Sequence, residues 1–446
     1  MQFQSVYSGF PVVSGGLSQS VILGDGRTAV GAGYYSSSSL PVSMVSVPSY
    51  DPRVSSLSYQ AYAPSQLSYS QTAGSFVVPA AASEARTVAP PPAQPVSRGE
   101  WRLAAVTLSE IVEAFESQVH EQASAFETLS EKEKNFLRGG VLSQRMEFAP
   151  RARMLNRKFF NALCAHAQSP SAISGGKPLE VVELPGIEVP RGSYATAGSL
   201  LLHMYRDWSN EASHVMEQVY RPLIERLQAQ LPPRTGDRPT RILVPGLGLG
   251  RLAFELTMAG YEVEGNEASP LFLTVLDWLF NAAPDPLTIC PGSHFFQHNL
   301  TVAEQYMEAR VPGLQPGVNM RGAGRRLRVT AGDFVQAYRG GARGRFDGVV
   351  TCFFLDTCDD LVDYVEAIDA AVAPGGVWVN FGPLKYKHNV KLKLAWDELR
   401  RGWSNLGYVF GEDRVVRTAY HLPAGRRMNT VEYDALLSHA VKGAKQ

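Results

Sequence analysis

An α/β fold, with a largely parallel sheet covered by helices on both faces, is predicted for the second half of this 446-residue chain. Three observations predict it. From Arg241 onwards, short apolar runs of strand length alternate with segments of helical texture. The runs RILVP, YEVEGNE, LRVTAGD, FDGVVTCFF and GVWVNFGP all suit strands buried on both sides. A cluster of glycines stands between the first of these runs and the helical segment that follows it.

The preceding elements read differently. Residues 1–98 are Ser, Gly, Ala, Val, Pro and Tyr with very few charges, including SSSS at 36–39 and PPPAQP at 90–95. No period of 2 or 3.6 persists there, so a disordered leader is expected, with a partner-recruiting role as one possible use. Residues 99–235 form a helical region, with helices expected over LSEIVEAFESQVHEQASAFETLSEKEKNFL, RARMLNRKFFNALCAHA and GSLLLHMYRDWSNEASHVMEQVYRPLIERLQAQL. SGGKPLEVVELPGIEVPRGSY between the last two is rich in Gly and Pro and is expected to be a loop. Residues 236–446 carry the sheet. Helices are expected over RLAFELTMAG, PLFLTVLDWLFNAA, DLVDYVEAIDAAVA and KLKLAWDELRRGWSNLG. The end of the chain reads as two antiparallel edge strands around a glycine-containing turn.

Composition narrows the function. Lysine plus arginine and aspartate plus glutamate each number 42, so the chain has no electrostatic footprint for nucleic acid or an anionic membrane. Four cysteines without CxxC spacing give neither a disulfide scaffold nor a zinc ribbon, and no metal is expected. No stretch approaches the roughly 18 apolar residues of a membrane span. The first residues lack the basic and apolar regions of a secretory signal. The expectation is a soluble, cytoplasmic protein, possibly also nuclear, with a homodimer as one possible assembly.

RILVPGLGLGRLAFEL at 241–256 is the sharpest motif. Glycines at Gly246, Gly248 and Gly250 permit positive φ and close approach of a ligand at the carboxyl end of a strand. The next strand ends in Asn266-Glu267, where an acid can accept hydrogen bonds from a ribose diol. The third glycine follows after one residue rather than two, which favours S-adenosylmethionine over NAD. Asp333 ends the following strand and suits either the cofactor or a helix N-cap before FVQAY. Asp356, after the fourth strand, stands where open α/β sheets bind substrate, whereas Asp359 and Asp360 suit capping of the next helix. Tyr386, Lys387 and His388 would overhang the pocket after the fifth strand.

Taken together, RDWSNE at 206–211, ILVPGLGLGRLAFELTMAGYEVEGNEAS, TAGDF and VVTCFFLDT continuing to APGGVWVNFGPLKY resemble the carnosine N-methyltransferase (N2227-like) family. The resemblance implies a Rossmann-like class I sheet that binds S-adenosyl-L-methionine, and methyl transfer to an imidazole of carnosine or a related small molecule. The cofactor site it implies comprises Arg206, Gly246, Gly248, Gly250, Arg251, Glu267, Asp333 and Phe334. The acceptor side comprises His294, Tyr420, Tyr433, Lys387 and His388, with Asp356, Tyr386 and Lys387 catalytic. One departure stands out: where the family has a histidine after the tyrosine of its GPLLYH motif, this chain has Lys387, with His388 one place late. Methylation of another amine or a protein histidine, and a catalytically silent scaffold, are the alternatives. The glycine spacing disfavours an NAD oxidoreductase.

Overall fold

The computed structural model describes residues 104–168, 177–184, 197–234, 236–282, 285–340, 344–420 and 427–444. It also describes an antiparallel pair of two-residue strands, β1 (Val21–Ile22) and β2 (Thr28–Ala29). The rest of the expected disordered leader lies outside the described residues. Contacts divide the chain into Met1–Thr87 and Val88–Gln446, and every other described element belongs to the second unit.

The strands of that unit are β3 (Leu179–Glu183), β4 (Arg241–Pro245), β5 (Glu262–Glu267), β6 (Leu287–Ile289) and β7 (Ala309–Val311). They continue with β8 (Leu327–Ala331), β9 (Phe346–Cys352), β10 (Val372–Gly382), β11 (Tyr408–Phe410), β12 (Arg414–Thr418) and β13 (Tyr433–Lys442). Strands β6 and β7 make a separate antiparallel ribbon. The rest form a nine-stranded sheet in the order β11-β13-β10-β9-β4-β5-β8-β3, with β12 also on β13. From β3 to β10 every pairing is parallel, and β13 runs antiparallel to β10.

Two sequence expectations are corrected. The expected loop before residue 195 contains β3, which pairs with β8 through Leu179↔Leu327 to Glu183↔Ala331. Gly and Pro on either side hide a five-residue strand whose backbone is satisfied by a single neighbour. The chain's end forms three edge strands rather than two: β12 pairs with Tyr433–Leu437 of β13 and β11 with Ala440–Lys442, so they share one edge.

Both faces of the sheet are covered, and the alternation of side chains divides the core accordingly. On β4, Ile242 and Val244 enter the larger core with the helices Ala104–Ser124, Ser143–Gln168, Ala197–Trp208 and Pro270–Asn281. Leu243 enters the other, with the helices Leu361–Ala371 and Trp396–Asn405. The helical region and the sheet therefore share one core. A buried polar link reinforces it: His166 Nε2 lies 3.0 Å from Asp277, which accepts from Asn281, whose side-chain amide brackets the Leu179 N–H and carbonyl of β3.

This topology positions the site. From β4 the chain proceeds outward through β5 to β8, then returns to β4's other side for β9 and β10. The order thus reverses between β4 and β9, where ligands of open α/β sheets bind at the carboxyl ends.

Candidate active site

At the end of β4 the glycines adopt φ values of 63° at Gly246, 58° at Gly248 and 81° at Gly250. Their roles differ. A Cβ on Gly246 would lie 2.4 Å from the Phe354 ring, and one on Gly250 would lie 2.8 Å from Leu276. Those two glycines admit neighbouring side chains; Gly250 is also the left-handed residue that starts the helix Arg251–Met258. A Cβ on Gly248 would meet nothing within 4 Å. Only there does the loop face open space, as close approach of a ligand to backbone requires.

Glu267 ends β5 and holds this loop. Its carboxylate accepts the Gly248 and Ser269 N–H groups, each at 2.8 Å, while the Leu247 N–H donates to the Asn266 carbonyl. The side-chain amide of Asn266 in turn donates to the carbonyls of Thr330 and Gly332, fixing the end of β8. Burial pushes the Glu267 carboxyl up to about 7, although the backbone donors oppose the shift. A buried carboxylate without a cation beside it, next to an open glycine, fits the hydroxyls and adenosyl portion of S-adenosyl-L-methionine.

The other expected cofactor residues are placed as follows. Asp333 accepts the Gln336 N–H at 2.9 Å as the N-cap of the helix Phe334–Tyr338, so the capping alternative describes what is seen. Phe334 is buried edge-on against Phe354 and Tyr364, a packing role in place of the expected ligand contact. Arg251 donates to the Asp207 carbonyl and pairs with Glu255, which ties two helices together. Its guanidinium is engaged by protein groups.

Arg206 lies across the strand ends. Its guanidinium makes a two-pronged pair with Asp207, at 2.6 and 2.8 Å, and sits 4.2 Å above the Tyr420 ring. Asp207 also accepts from the Tyr220 hydroxyl at 2.8 Å. Burial raises the Asp207 carboxyl, but Arg206 outweighs it and holds it below the ordinary range. Burial followed by Asp207 drives the Tyr220 phenol well above its usual value. Tyr420 stacks on Phe353 at 3.8 Å, and Tyr433 meets Phe353 edge-on at 5.7 Å. Phe353 has φ of 49°, a left-handed conformation that a bulky residue adopts only when its surroundings enforce it. Its N–H donates to the Phe381 carbonyl, and Gly382, whose Cβ would lie 3.1 Å from the Phe353 backbone, lets the ends of β9 and β10 approach this closely.

Asp356 follows in the turn Leu355–Thr357 and accepts the Lys385 N–H at 2.9 Å, joining the ends of β9 and β10. Burial raises its carboxyl, against the pull of that N–H. Asp360 caps the next helix through the Val362 and Asp363 N–H groups.

Four acceptor-side expectations need revision. The Tyr386 hydroxyl donates to the Leu394 carbonyl and so fastens its own loop. Lys387 extends along the surface to Asp359 at 2.8 Å, both side chains substantially exposed. His388 is exposed, and its carbonyl accepts from Lys393. His294 belongs to another cluster, between Phe115 and Phe295 with Nε2 directly over Gly198. Burial, then Arg427, lower it to about 4, so its ring is neutral. The structure thus brings Arg206, Tyr420 and Tyr433 together. It adds Asp207, Tyr220 and Phe353, which sequence reading missed; only the Arg206-Asp207 adjacency could have signalled them.

A parallel sheet with one reversed strand beside β10, a glycine turn after the central strand and an acid ending its neighbour define the class: a Rossmann-like sheet of the class I methyltransferase type. A profile of the carnosine N-methyltransferase family matches residues 187–444, more than half the chain. The chain belongs to that family. It is 32% identical over 233 residues to "Carnosine N-methyltransferase unmet" of Drosophila melanogaster, covering 50% of each. It is 34% identical over 192 residues to the carnosine N-methyltransferase of Schizosaccharomyces pombe (42% of this chain, 51% of the relative). The corresponding rat protein is 32% identical over 210 residues (45% and 52%). The chain spans about half the length of these curated relatives.

Proposed function

We propose that this protein transfers a methyl group from S-adenosyl-L-methionine to an imidazole nitrogen of carnosine, or of a related histidine-containing small molecule. The observation that carries the reading is an open glycine held by a buried glutamate at the end of β4, with the partly buried Asp356 in the turn that follows β9, the strand paired with β4 on its other side. Family membership supports the same assignment.

Bound S-adenosyl-L-methionine supplies a methyl group activated on a sulfonium. Glu267 accepts hydrogen bonds from its hydroxyls, and the backbone at Gly248 gives it room. The Asp356 carboxylate accepts the Lys385 N–H and its own backbone N–H. It would also accept the N–H of the acceptor imidazole, which leaves the opposite nitrogen with its lone pair free to attack. Methyl transfer from the bound donor would leave the imidazole cationic, and its N–H proton would pass to Asp356 and then to water. A carboxyl raised by burial suits such proton acceptance. The Phe353, Tyr420 and Tyr433 rings pack against one another at the strand ends and help exclude water. Acceleration comes chiefly from holding the reactants in line.

The departure at Lys387 from the family histidine favours keeping a second acceptor in view, a histidine in a protein chain. The reading also includes a cytoplasmic or nuclear location, supported by four free cysteines. It includes a homodimer, supported by the exposed Phe136 and Val141 of the helical region. Sedimentation of the full chain tests the last. Function is tested by incubating the protein with methyl-labelled cofactor and carnosine, histidine or a histidine-containing peptide, and identifying the product by mass spectrometry. Transfer to carnosine, with Asp356→Asn lowering kcat about 10²–10⁴-fold, is the expected result. Cofactor binding without transfer to any imidazole overturns it.

A further inference from the structure

The helix Ser143–Gln168 has two contrasting faces. Phe159, Phe160 and Leu163 are buried in the shared core. Met146, Ala149, Arg153 and Arg157, spaced by three or four residues, lie along another side and line a cavity of about 580 Å³. Phe126 and Tyr306 supply aromatic walls from elsewhere in the chain, and a narrow extension runs inward to Phe115 and Asn156. This is the size and lining of a small-molecule site.

Its charges are one-sided. Arg145, Arg153, Arg157 and Lys158 stand around the cavity against a single acid, Glu127. Arg157 is neutralised by Glu116 on the facing helix. Among the described residues, Arg145, Arg153 and Lys158 have no carboxylate partner. Arg145 is nevertheless held in place: it donates to the Tyr306 hydroxyl at 3.1 Å and lies 4.6 Å above the Phe126 ring. Arg145 and Arg153 are thus the guanidinium groups of the cavity wall that, among the described residues, no carboxylate neutralises, and a guanidinium fork suits an oxyanion.

We propose that this cavity binds an amphipathic organic anion, with an apolar body seated on Phe126, Ala149 and Tyr306 and an anionic head between Arg145 and Arg153. The site is separate from the strand-end residues of the proposed methyl transfer and does not depend on that assignment. Its test is a fluorescence titration of the full chain with 1-anilinonaphthalene-8-sulfonate, followed by competition. Decanoate should displace the dye, whereas acetate (head without body) and decanol (body without head) should displace it at least tenfold more weakly. Arg153→Glu, at an exposed position that folding does not require, should weaken dye and decanoate binding about tenfold or more, with circular dichroism unchanged. Ala149→Trp should fill the cavity and do the same. Equal competition by decanol and decanoate, or undiminished dye affinity in Arg153→Glu, overturns the proposal whether or not Ala149→Trp folds.

Discussion

The two halves of the strand-end site are built on opposite principles. In one, a short stretch of backbone, residues 246–250, is held by the acid that ends the next strand, adjacent in space. In the other, around Arg206 and Tyr420, the side chains come from the helix Ala197–Trp208, the helical turn Met216–Tyr220, the end of β9, the residues after β12 and the start of β13. The first half needs small residues and φ; the second needs charges and rings whose positions depend on one another. Substitutions should therefore fail differently in the two halves: by loss of ligand in one, by loss of structure in the other.

The largest expected effect lies in the Arg206 cluster. Asp207→Ala strands the buried Arg206 guanidinium without its partner, which costs about 3–5 kcal/mol of stability. Denaturant unfolding reads this directly. A loss below ~1 kcal/mol would show that Arg206 finds water, and that this half is less interdependent than its contacts indicate.

Next comes the cofactor side, where two glycines two residues apart should separate binding from folding. Gly248→Val fills the open space in front of the loop at a φ of 58°, so affinity for S-adenosyl-L-methionine should fall about 100-fold, roughly 2.7 kcal/mol. Gly250→Val instead presses on Leu276 and Phe280 and should cost mainly stability, on the order of 1–3 kcal/mol. Calorimetry on both folded variants checks the contrast, and equal binding losses would erase it.

That contrast also explains what the sequence made legible. Gly248 and Glu267 carry a local signature, strand–glycine–helix and then an acid at the next strand end, because β4 and β5 are joined by a single helix and pair directly. Asp356 is legible for the same reason. Phe353 is not, since nothing in its residue type announces a positive φ. Asp207 and Tyr220 lie on successive helical elements and Tyr420 in the turn after β12, and their convergence is a property of tertiary packing rather than of any motif. Tyr386 and Lys387 misled in the opposite direction: adjacency to a pocket in sequence placed them at its edge, while a backbone carbonyl and Asp359 satisfy their polar ends. Strand β3 was hidden by its Gly- and Pro-rich flanks, and β12 by the exposed side chains of an edge strand.

A smaller effect, and one with a sign, follows from Glu267. Its folded-state carboxyl titrates near 7, above the usual carboxylate value, because burial disfavours the charge. The stability it contributes is therefore complete below the unfolded value and is lost as pH rises through about 7. Cofactor binding should run the other way. Hydroxyl donors favour the ionised form, so affinity should fall as pH drops below about 7, and binding near that pH should release protons. Calorimetry in buffers of different ionisation enthalpy measures the release, and Glu267→Gln should abolish it. A pH-independent affinity would place the ligand's hydroxyls on other groups.

The smallest expected effect belongs to Lys387, although its departure from the family pattern makes it the most conspicuous residue of the rim. In sequence, a lysine replacing histidine at a pocket edge suggests recognition of an acceptor's carboxylate. In the structure, the ammonium pairs with Asp359 at 2.8 Å, with the two side chains 43% and 76% exposed. Such a pair is weakly coupled and screened by solvent, on the order of 0–1 kcal/mol. Its net field at Asp356 is further reduced because the two charges oppose each other. Lys387→Met should therefore change KM for a carboxylate-bearing imidazole by less than about fivefold, and by the same factor for its amide analogue. A loss confined to the carboxylate form would mean that Lys387 abandons Asp359 when the acceptor arrives. In that event Asp359→Asn, by freeing the ammonium in advance, should tighten the carboxylate form and leave the amide unchanged.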